Sequence, residues 1–464
     1  LALDGLLLQL VRNTILLDEM QEQTIKRKVR EAYLAVKVEE IYTKDQILMM
    51  YLNVVNYGDS CYGIEAASQS YFGKSADELT LAEAALLVGI PQSPTANNPR
   101  ENPKTAKERR NLVLANMKRN GYITQKQYNK ARKAKIELVE KSERDDDVAN
   151  IAPYFVDYIR WLLRESGQFS EAELSKGGLT VYTTLNPASQ KAAVKAIDDK
   201  LADRDSKLDA SLTTVNTANG HIISMVGGRD YDEDQFNLAV QMSRQAGSSF
   251  KVFSLLAALD AGVDPSTQID SDSPAYIGNW EVHNVEGEGG GDMSLREATA
   301  ESINTVYARL VHTIGPQKVV DMAHKCGIES DLEPYDAIAL GVFGVNTLEM
   351  ANAYATIANG GTRHDPVAIT EIVDASGESV YTSDDEQNGE RVLSPALAST
   401  ATDILKTVIE YGTGTNAQLN CGQEAAGKTG TSEEFRDVWF CGYTPQYSTA
   451  VWVGYRKEKS VGNY

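Results

Sequence analysis

A serine and a lysine three residues apart, at the head of an apolar helix, constrain this chain more than any other feature. The stretch Arg244-Gln245-Ala246-Gly247-Ser248-Ser249-Phe250-Lys251 runs into the apolar segment Val252 to Leu259 and stops at Gly262. Gly247 permits a tight turn. Ser248 is a favoured residue for a helix start, and Phe250, Phe253 and Leu256 recur at helical spacing. Ser248 and Lys251 then lie one turn apart on one helix face. A serine hydroxyl attacks only when a base takes its proton, and lysine is such a base when burial or a second cation lowers its pKa. Alone, the S-x-x-K spacing is better explained by a capped helix with a solvated lysine. Two later stretches supply partners. Ser302-Ile303-Asn304 follows the helix-like segment Leu295 to Ser302, and Lys428-Thr429-Gly430-Thr431 leads into the strand-like run Val438 to Tyr443. Ser302 and Asn304 alone would read as a helix cap, and Lys428 alone as a surface strand lysine.

The chain has 464 residues, enough for two or three domains. Its 45 basic against 65 acidic residues give a net charge of −20. That balance argues against nucleic acid and against a polybasic membrane patch, although a local basic face can still meet an anionic lipid. The four cysteines, Cys61, Cys326, Cys421 and Cys441, contain no C-x-x-C pair, and the five histidines are dispersed, so no metal site is expected from spacing. Cys421 and Cys441 flank the Lys428 strand, which leaves a disulfide open in an oxidising compartment. His283 and His324 read as structural or surface residues. The apolar opening Leu1 to Val11 contains Asp4 and is too short to cross a bilayer. The chain does not begin with Met and reads as part of a longer protein, with a membrane anchor outside this numbering.

Residues 1–130 read as helical. Lys26 to Tyr42 carries an apolar stripe of Val29, Tyr33 and Val36 and an opposite polar face, with Arg27, Lys28 and Glu31 within one turn. By itself that is an ordinary charged face, worth a few tenths of a kcal/mol per pair. Lys44 to Asn53 is a second helix, and Leu81 to Ile90 a buried one broken by Pro91 and Pro94. Residues 131–178 shift in composition. The charge cluster Lys141 to Asp147 reads as solvated linker, and a helix begins at Ile151 and runs towards Glu165. From residue 179 the chain alternates strands and helices. Asn219-Gly220 suits a type I′ hairpin turn between Ser211–Thr217 and His221–Val226. Ser271 to Gly291 reads as a long polar surface loop, and Ala425–Thr431, Val438–Tyr443 and Tyr447–Tyr455 as strands. The expected fold of this part is α+β, an antiparallel sheet flanked by helices.

The order S-x-x-K, S-x-N, K-T-G resembles the signature of penicillin-binding proteins and class A β-lactamases. Upstream, R-K-x-x-E-A-x-x-A at Arg27 to Ala35, Y-x-K-D-x-I-L-x-x-Y-L-N at Tyr42 to Asn53, Y-G-I-E-A-A at Tyr62 to Ala67 and Y-F-G-K at Tyr71 to Lys74 resemble the peptidoglycan glycosyltransferase domain of class A penicillin-binding proteins. The likeness runs from about Gln9 to Gly121. It implies a multidomain chain. Residues 1–130 would be a helical, lysozyme-like glycosyltransferase domain, in part, and 131–178 a linker. Residues 179–464 would be a penicillin-binding transpeptidase domain. Two family segments have no match here. Nothing in Leu1 to Asp18 reads E-D-x-x-F-x-x-H, and Asp4 to Gln9 stands where G-G-S-T-I-T-Q-Q is expected.

The resemblance also implies roles. Glu31 would stabilise the diphosphate leaving end of lipid II, with Arg27 and Lys28 on the phosphates. Ser248 would attack the D-Ala–D-Ala amide of a stem peptide, with Lys251 as base, depressed by nearby Lys428. Ser302 would relay a proton to the leaving amine, and Asn304 would hold Lys251 and the substrate amide. Thr429 and Thr431, with Lys428, would bind the terminal carboxylate, and Gly430 would leave room for the substrate. The backbone N–H groups of Ser248 and Thr431 would form the oxyanion hole. No cofactor is expected for the transpeptidase, and a divalent metal ion is open for the glycosyltransferase. Implied partners are lipid II, nascent peptidoglycan, β-lactams, the cytoplasmic membrane at its outer face, and proteins of cell division or elongation. The rivals are a β-lactamase, which would hydrolyse its acyl-enzyme quickly, and a non-catalytic scaffold.

Overall fold

Threonine caps fix where the first helices start. Thr24, Thr43, Thr80 and Thr124 each accept a hydrogen bond from the N–H three residues on. At the last three, the side chain of Gln46, Glu83 or Gln127 accepts one back from the cap's own N–H. The computed structural model describes residues 2–15, 24–59, 61–139, 151–170, 173–174, 178–285, 288–374, 376–384, 389–457 and 459–462. They divide into two units, Leu1–Asp145 with Gly167–Leu179, and Asp146–Ser166 with Thr180–Tyr464.

The first unit is helical: α1 (Ala2–Thr14), α2 (Ile25–Ile41), α3 (Lys44–Val54), α4 (Ile64–Phe72), α5 (Leu81–Gly89), α6 (Pro103–Arg119) and α7 (Gln125–Lys133). Its α1–α3 core gathers Leu7, Leu10, Val11, Ala35 and Ile47. Helix α2 departs from the sequence reading. Val29, Tyr33 and Val36, the stripe expected to face inward, are 63%, 62% and 56% exposed, while Arg27 and Glu31 are 6% and 3% exposed. The charged face is therefore the buried one. Arg27, Glu31 and Ala35 stand four residues apart and share one line along the helix.

The stretch 131–178 is not linker throughout. Its α8 (Pro153–Glu165) buries Tyr154, Phe155, Ile159 and Leu163 and belongs to the second unit. Phe155, Ile159 and Leu163 recur every four residues, which gives the helix an apolar face that must be covered. The cluster Lys141 to Asp147 lies outside the described residues.

The second unit is built on five antiparallel strands, β1 (Leu208–Asn216), β2 (Ile222–Val226), β5 (Ala426–Thr431), β6 (Asp437–Tyr443) and β7 (Tyr447–Tyr455), in the order β5-β6-β7-β1-β2. The short pair β3 (Arg244–Gln245) and β4 (Gly344–Val345) lies apart from it. Period-two alternation gives the sheet two faces. On one, Leu208, Leu212 and Val226 with Val451 and Val453 pack against Ala193, Ile197 and Leu201 of α9 (Pro187–Leu201). On the other, Ser211 and Thr213 hydrogen-bond through their hydroxyls to Thr347, the first residue of α14, at 2.9 and 3.0 Å. Among the described residues, the remaining helices of six residues or more are α10 (Lys251–Asp260), α11 (Leu295–Ala300), α12 (Asn304–Ile314), α13 (Pro316–Cys326), α14 (Thr347–Ala358) and α15 (Pro395–Glu410). Helix α10 is interior, with its residues from Lys251 to Ala258 all buried. An all-round apolar helix has no solvent face to turn outward.

Two further expectations change, and one question left open by the sequence closes. Only Gly220 of the Asn219-Gly220 pair has positive φ, so that turn is not type I′, which needs both. Ser271 to Gly291 is not a free surface loop. It holds the paired strands Ala275–Ile277 and Trp280–Val282, and buried Ser271 donates to Gly291 O at 2.8 Å and accepts from Gly290 N at 2.7 Å. Cys421 and Cys441 form no disulfide. All four cysteines are free, with Cys421 exposed and Cys441 buried inside β6.

Candidate active site

In the first unit, Glu31 accepts two hydrogen bonds from Arg12 of α1, at 2.7 Å from Nη2 and 3.1 Å from Nε. Arg27 shares the buried face of Glu31, and Lys28 is exposed. Arg12 went unread in the sequence, because nineteen residues and a change of helix separate it from Glu31. Among the described residues no three His, Cys, Asp or Glu side chains gather as a ligand set, and Glu31 already pairs with a guanidinium.

In the second unit the three motifs meet. Ser248 does not cap α10 as expected. It sits inside a 3₁₀ turn, Gly247–Phe250, which precedes α10 and carries no side-chain cap. The turn exists because Gly247 takes φ +56°. A Cβ on Gly247 would lie 2.4 Å from Thr431 O, and one on Gly430 would lie 2.5 Å from Ala246 O. The nucleophile turn and β5 thus run against each other at a distance only glycine allows. Ser248 is half-exposed, and among the described residues its Oγ has no hydrogen-bond partner.

Lys251 is buried. Its Nζ donates to Ser302 O at 2.6 Å, Ser302 Oγ at 3.3 Å and Asn304 Oδ1 at 2.8 Å, and stands 5.2 Å from the Tyr307 ring centroid. Lys428, also buried, donates to Ser302 Oγ at 2.8 Å and to Thr429 O and Oγ1 at 3.2 and 3.3 Å. Ser302 therefore stands between two amines. A hydroxyl has two lone pairs and one proton. With both amines donating, its own O–H is left to face a substrate. Ser302 pays for that place with φ +63°, a left-handed backbone that costs a non-glycine residue about 1–3 kcal/mol and persists only where surroundings enforce it. Asn304 Nδ2 donates to His283 O at 2.9 Å, so the residue that orients Lys251 is itself anchored. His283 enters the site through its backbone, as its exposed ring does not.

Burial pushes the Lys251 amine well below the ordinary lysine value, and the nearby Lys428 pushes it further. Burial brings Lys428 down to about 7. Glu288 opposes both shifts by favouring the ammonium forms, and is itself raised, chiefly by burial. It lines a groove of about 480 Å³ with Glu301, Tyr411 and Thr413, and Thr413 Oγ1 lies 2.7 Å from Thr429 Oγ1. Neither Glu288 nor Thr413 was legible in sequence. Glu288 fell in the stretch read as solvent loop, and Thr413 lies outside every motif. Glu288→Gln should move the acid limb of the pH–acylation profile to lower pH. Without the carboxylate each lysine loses its proton more readily, so more neutral Lys251 exists at a given acidic pH. A limb that stays in place or moves upward would count against that coupling.

A serine beside a buried, deprotonatable lysine, a hydroxyl relay and an edge strand bearing a second amine define a serine acyltransferase. The comparisons name the family. Residues 6–118 match the transglycosylase family and residues 210–462 the penicillin-binding protein transpeptidase domain. The chain belongs to the class A, bifunctional penicillin-binding proteins. It is 31% identical to penicillin-binding protein 1A of Aquifex aeolicus, over 98% of this chain and 73% of that protein. It is 34% identical to penicillin-binding protein 1A of Streptococcus pneumoniae, over 98% of this chain and 67% of that protein. It spans 73% of the Aquifex aeolicus protein and 50% of penicillin-binding protein 1A/1B of Bacillus subtilis. The structure of PonA1 from Mycobacterium tuberculosis in complex with penicillin V is 35% identical, with TM-score 0.61, over 66% of this chain and 85% of that one. The fold of penicillin-binding protein 1A from Haemophilus influenzae matches with TM-score 0.76 over 99% of this chain and 84% of that chain, at 23% identity.

Proposed function

We propose that the chain is part of a cell-wall synthase that cross-links peptidoglycan stem peptides through an acyl-serine intermediate. The observation that carries this reading is the line Lys251–Ser302–Lys428 beside an unencumbered Ser248. Neutral Lys251 takes the Ser248 proton as Oγ adds to the carbonyl carbon of the penultimate D-Ala. The oxyanion rests on the backbone N–H groups of Ser248 and Thr431. The first turn of a helix leaves its N–H groups free for such use. The C–N bond then breaks. The leaving D-Ala amine collects a proton passed through Ser302, whose O–H is free and whose oxygen sits between the two lysine amines. Lys428, Thr429 and Thr431 bind the terminal carboxylate. Strand β5 is an edge strand, so an extended peptide can lie alongside it. An amine of a second stem peptide attacks the ester and gives its proton to Lys251, which hands a proton to Ser248 Oγ as the C–O bond breaks, so the free serine and the neutral lysine are both restored.

For the first unit the reading is polymerisation of lipid II, with Glu31 and the guanidinium groups of Arg12 and Arg27 at the diphosphate. A lipid-linked substrate of this kind fits a protein that works at the outer face of the cytoplasmic membrane. Among the described residues no helix is long and apolar enough to cross it.

The test is covalent capture of benzylpenicillin followed by peptide mass spectrometry. The expected result is a single penicilloyl adduct on the peptide containing Ser248 that survives for minutes to hours. No adduct overturns the acyltransferase reading, and release within seconds overturns it in favour of a β-lactamase.

A further inference from the structure

We propose that Asp437 and Arg244 form a positioning pair that sets the spacing between the nucleophile turn and the K-T-G strand, and so the aim of the two backbone N–H groups that hold the oxyanion. The proposal rests on the transpeptidase reading above. Neither residue lies within the three motifs.

Asp437 opens β6 and is 5% exposed. A carboxylate so placed needs its oxygens filled, and they are filled from two directions. On the side of the K-T-G strand, Ser432 directly follows Thr431. Ser432 Oγ donates to Asp437 Oδ2 at 3.0 Å, Asp437 N donates to Ser432 Oγ at 2.9 Å, and Ser432 N donates to Asp437 O at 3.0 Å. On the side of the nucleophile, Asp437 Oδ1 accepts from Trp452 Nε1 at 2.9 Å and faces Arg244 Nη1 at 4.0 Å. Arg244 stands four residues before Ser248. It is held by Nη2 bonds to Tyr455 O at 2.7 Å and Arg456 O at 2.6 Å, and its guanidinium lies 5.5 Å from the Trp452 ring centroid. Its neighbour Gln245 is tied to β6 by Trp439 Nε1, which donates to Gln245 O at 2.8 Å. One buried carboxylate thus holds the exit of β5 on one side and faces the entry to the nucleophile turn on the other.

The backbone between Ser432 and Asp437 supports this. Glu434 and Phe435 take φ +55° and +54° in succession. Two consecutive left-handed residues other than glycine persist only where their surroundings fix them. The Ser432–Asp437 closure at the base of the turn, with Val461 N donating to Phe435 O at 2.7 Å, supplies that constraint. Thr431 sits at the rim of the same turn, against Gly247, so a change in the closure moves one wall of the oxyanion site against the other.

The experiment measures penicillin acylation with the non-covalent dissociation constant and the maximal acylation rate constant resolved. Asp437→Asn keeps the shape and removes the charge. The expected result is a rate constant lower by about 10- to 100-fold, the size an ångström of misplacement produces, with the dissociation constant within about threefold of wild type. Arg244→Met should show the same split, and the double variant should lose no more than the worse single one, because residues acting as one unit are not additive. Ser432→Ala, which removes the two bonds made through the Ser432 hydroxyl and leaves Asp437 itself in place, is the second variant should Asp437→Asn fail to fold. Rate constants within twofold of wild type in folded variants, a loss confined to the dissociation constant, or fully additive losses would overturn the proposal and leave the transpeptidase reading standing. Failure of the wild-type protein to acylate would overturn both.

Discussion

Ser248→Ala should abolish covalent capture of penicillin, with acylation reduced by a factor on the order of 10⁶, the size seen when an acyl-enzyme nucleophile is removed. The melting temperature should barely move. The Ser248 hydroxyl is half-exposed and makes no hydrogen bond among the described residues, and substitutions of that kind stay within about 0.5 kcal/mol. Neighbouring serines cannot take its place. Ser249 is fully buried and donates its hydroxyl to Ala246 O at 2.7 Å, and Ser254 is buried within α10. Intact-mass measurement of wild type and variant with benzylpenicillin, beside a thermal melt, decides it. A persisting adduct in the variant would move the nucleophile elsewhere.

The parts of the site legible in sequence are those fixed by short spacing or by motif order. Ser248 and Lys251 are three residues apart on one local element, and Lys428 to Thr431 form a strand whose pairing partner comes next in sequence. Even there the local geometry escaped prediction. Ser248 reads as a helix cap, but the +56° φ of Gly247 and the pressure of Thr431 behind it fold the segment into a 3₁₀ turn. What sequence could not reveal depends on long-range closure. Arg12 and Glu31 meet from different helices. Glu288 and Thr413 reach the site from stretches with no motif. Asp437 is an ordinary strand residue until its burial beside Arg244 is seen. Helix α2 shows the limit most clearly. Its periodicity is correct, but the apolar stripe faces outward and the charged one inward, because periodicity gives two faces without saying which one the fold covers. Ser271 to Gly291 fails for a related reason. Glycine and polar residues read as solvated loop, whereas here their polar groups are consumed internally, by Ser271 with Gly290 and Gly291 and by Asn284 with Thr305 and Ser271.

The second large effect falls on Lys251. Lys251→Met keeps the buried stem and removes the amine, and acylation should drop by a factor of about 10³–10⁴, at the upper end of what a positioned general base supplies. Lys251→Arg should not restore it. Arginine keeps the positive charge but does not lose its proton in this range, so the pair separates a base from a mere cation. The wild-type rate should rise with pH as Lys251 deprotonates, and that limb should vanish in both variants. Stability supplies an independent check, with the sign fixed by linkage. Both lysines bind protons less readily in the native state, Lys428 titrating at about 7 against an ordinary lysine value of 10.5. Between those values the unfolded chain holds more protons than the native one, so stability climbs as pH rises across that window and is lowest below it. Lys251→Met should flatten that climb while leaving the part contributed by Lys428. Wild-type acylation in Lys251→Arg would show that charge alone suffices at this position and would hand the base role to the Ser302–Lys428 pair. An unchanged slope of stability against pH in Lys251→Met would mean that Lys251 keeps its proton in the native state, which is incompatible with a lysine that must be neutral when Ser248 attacks.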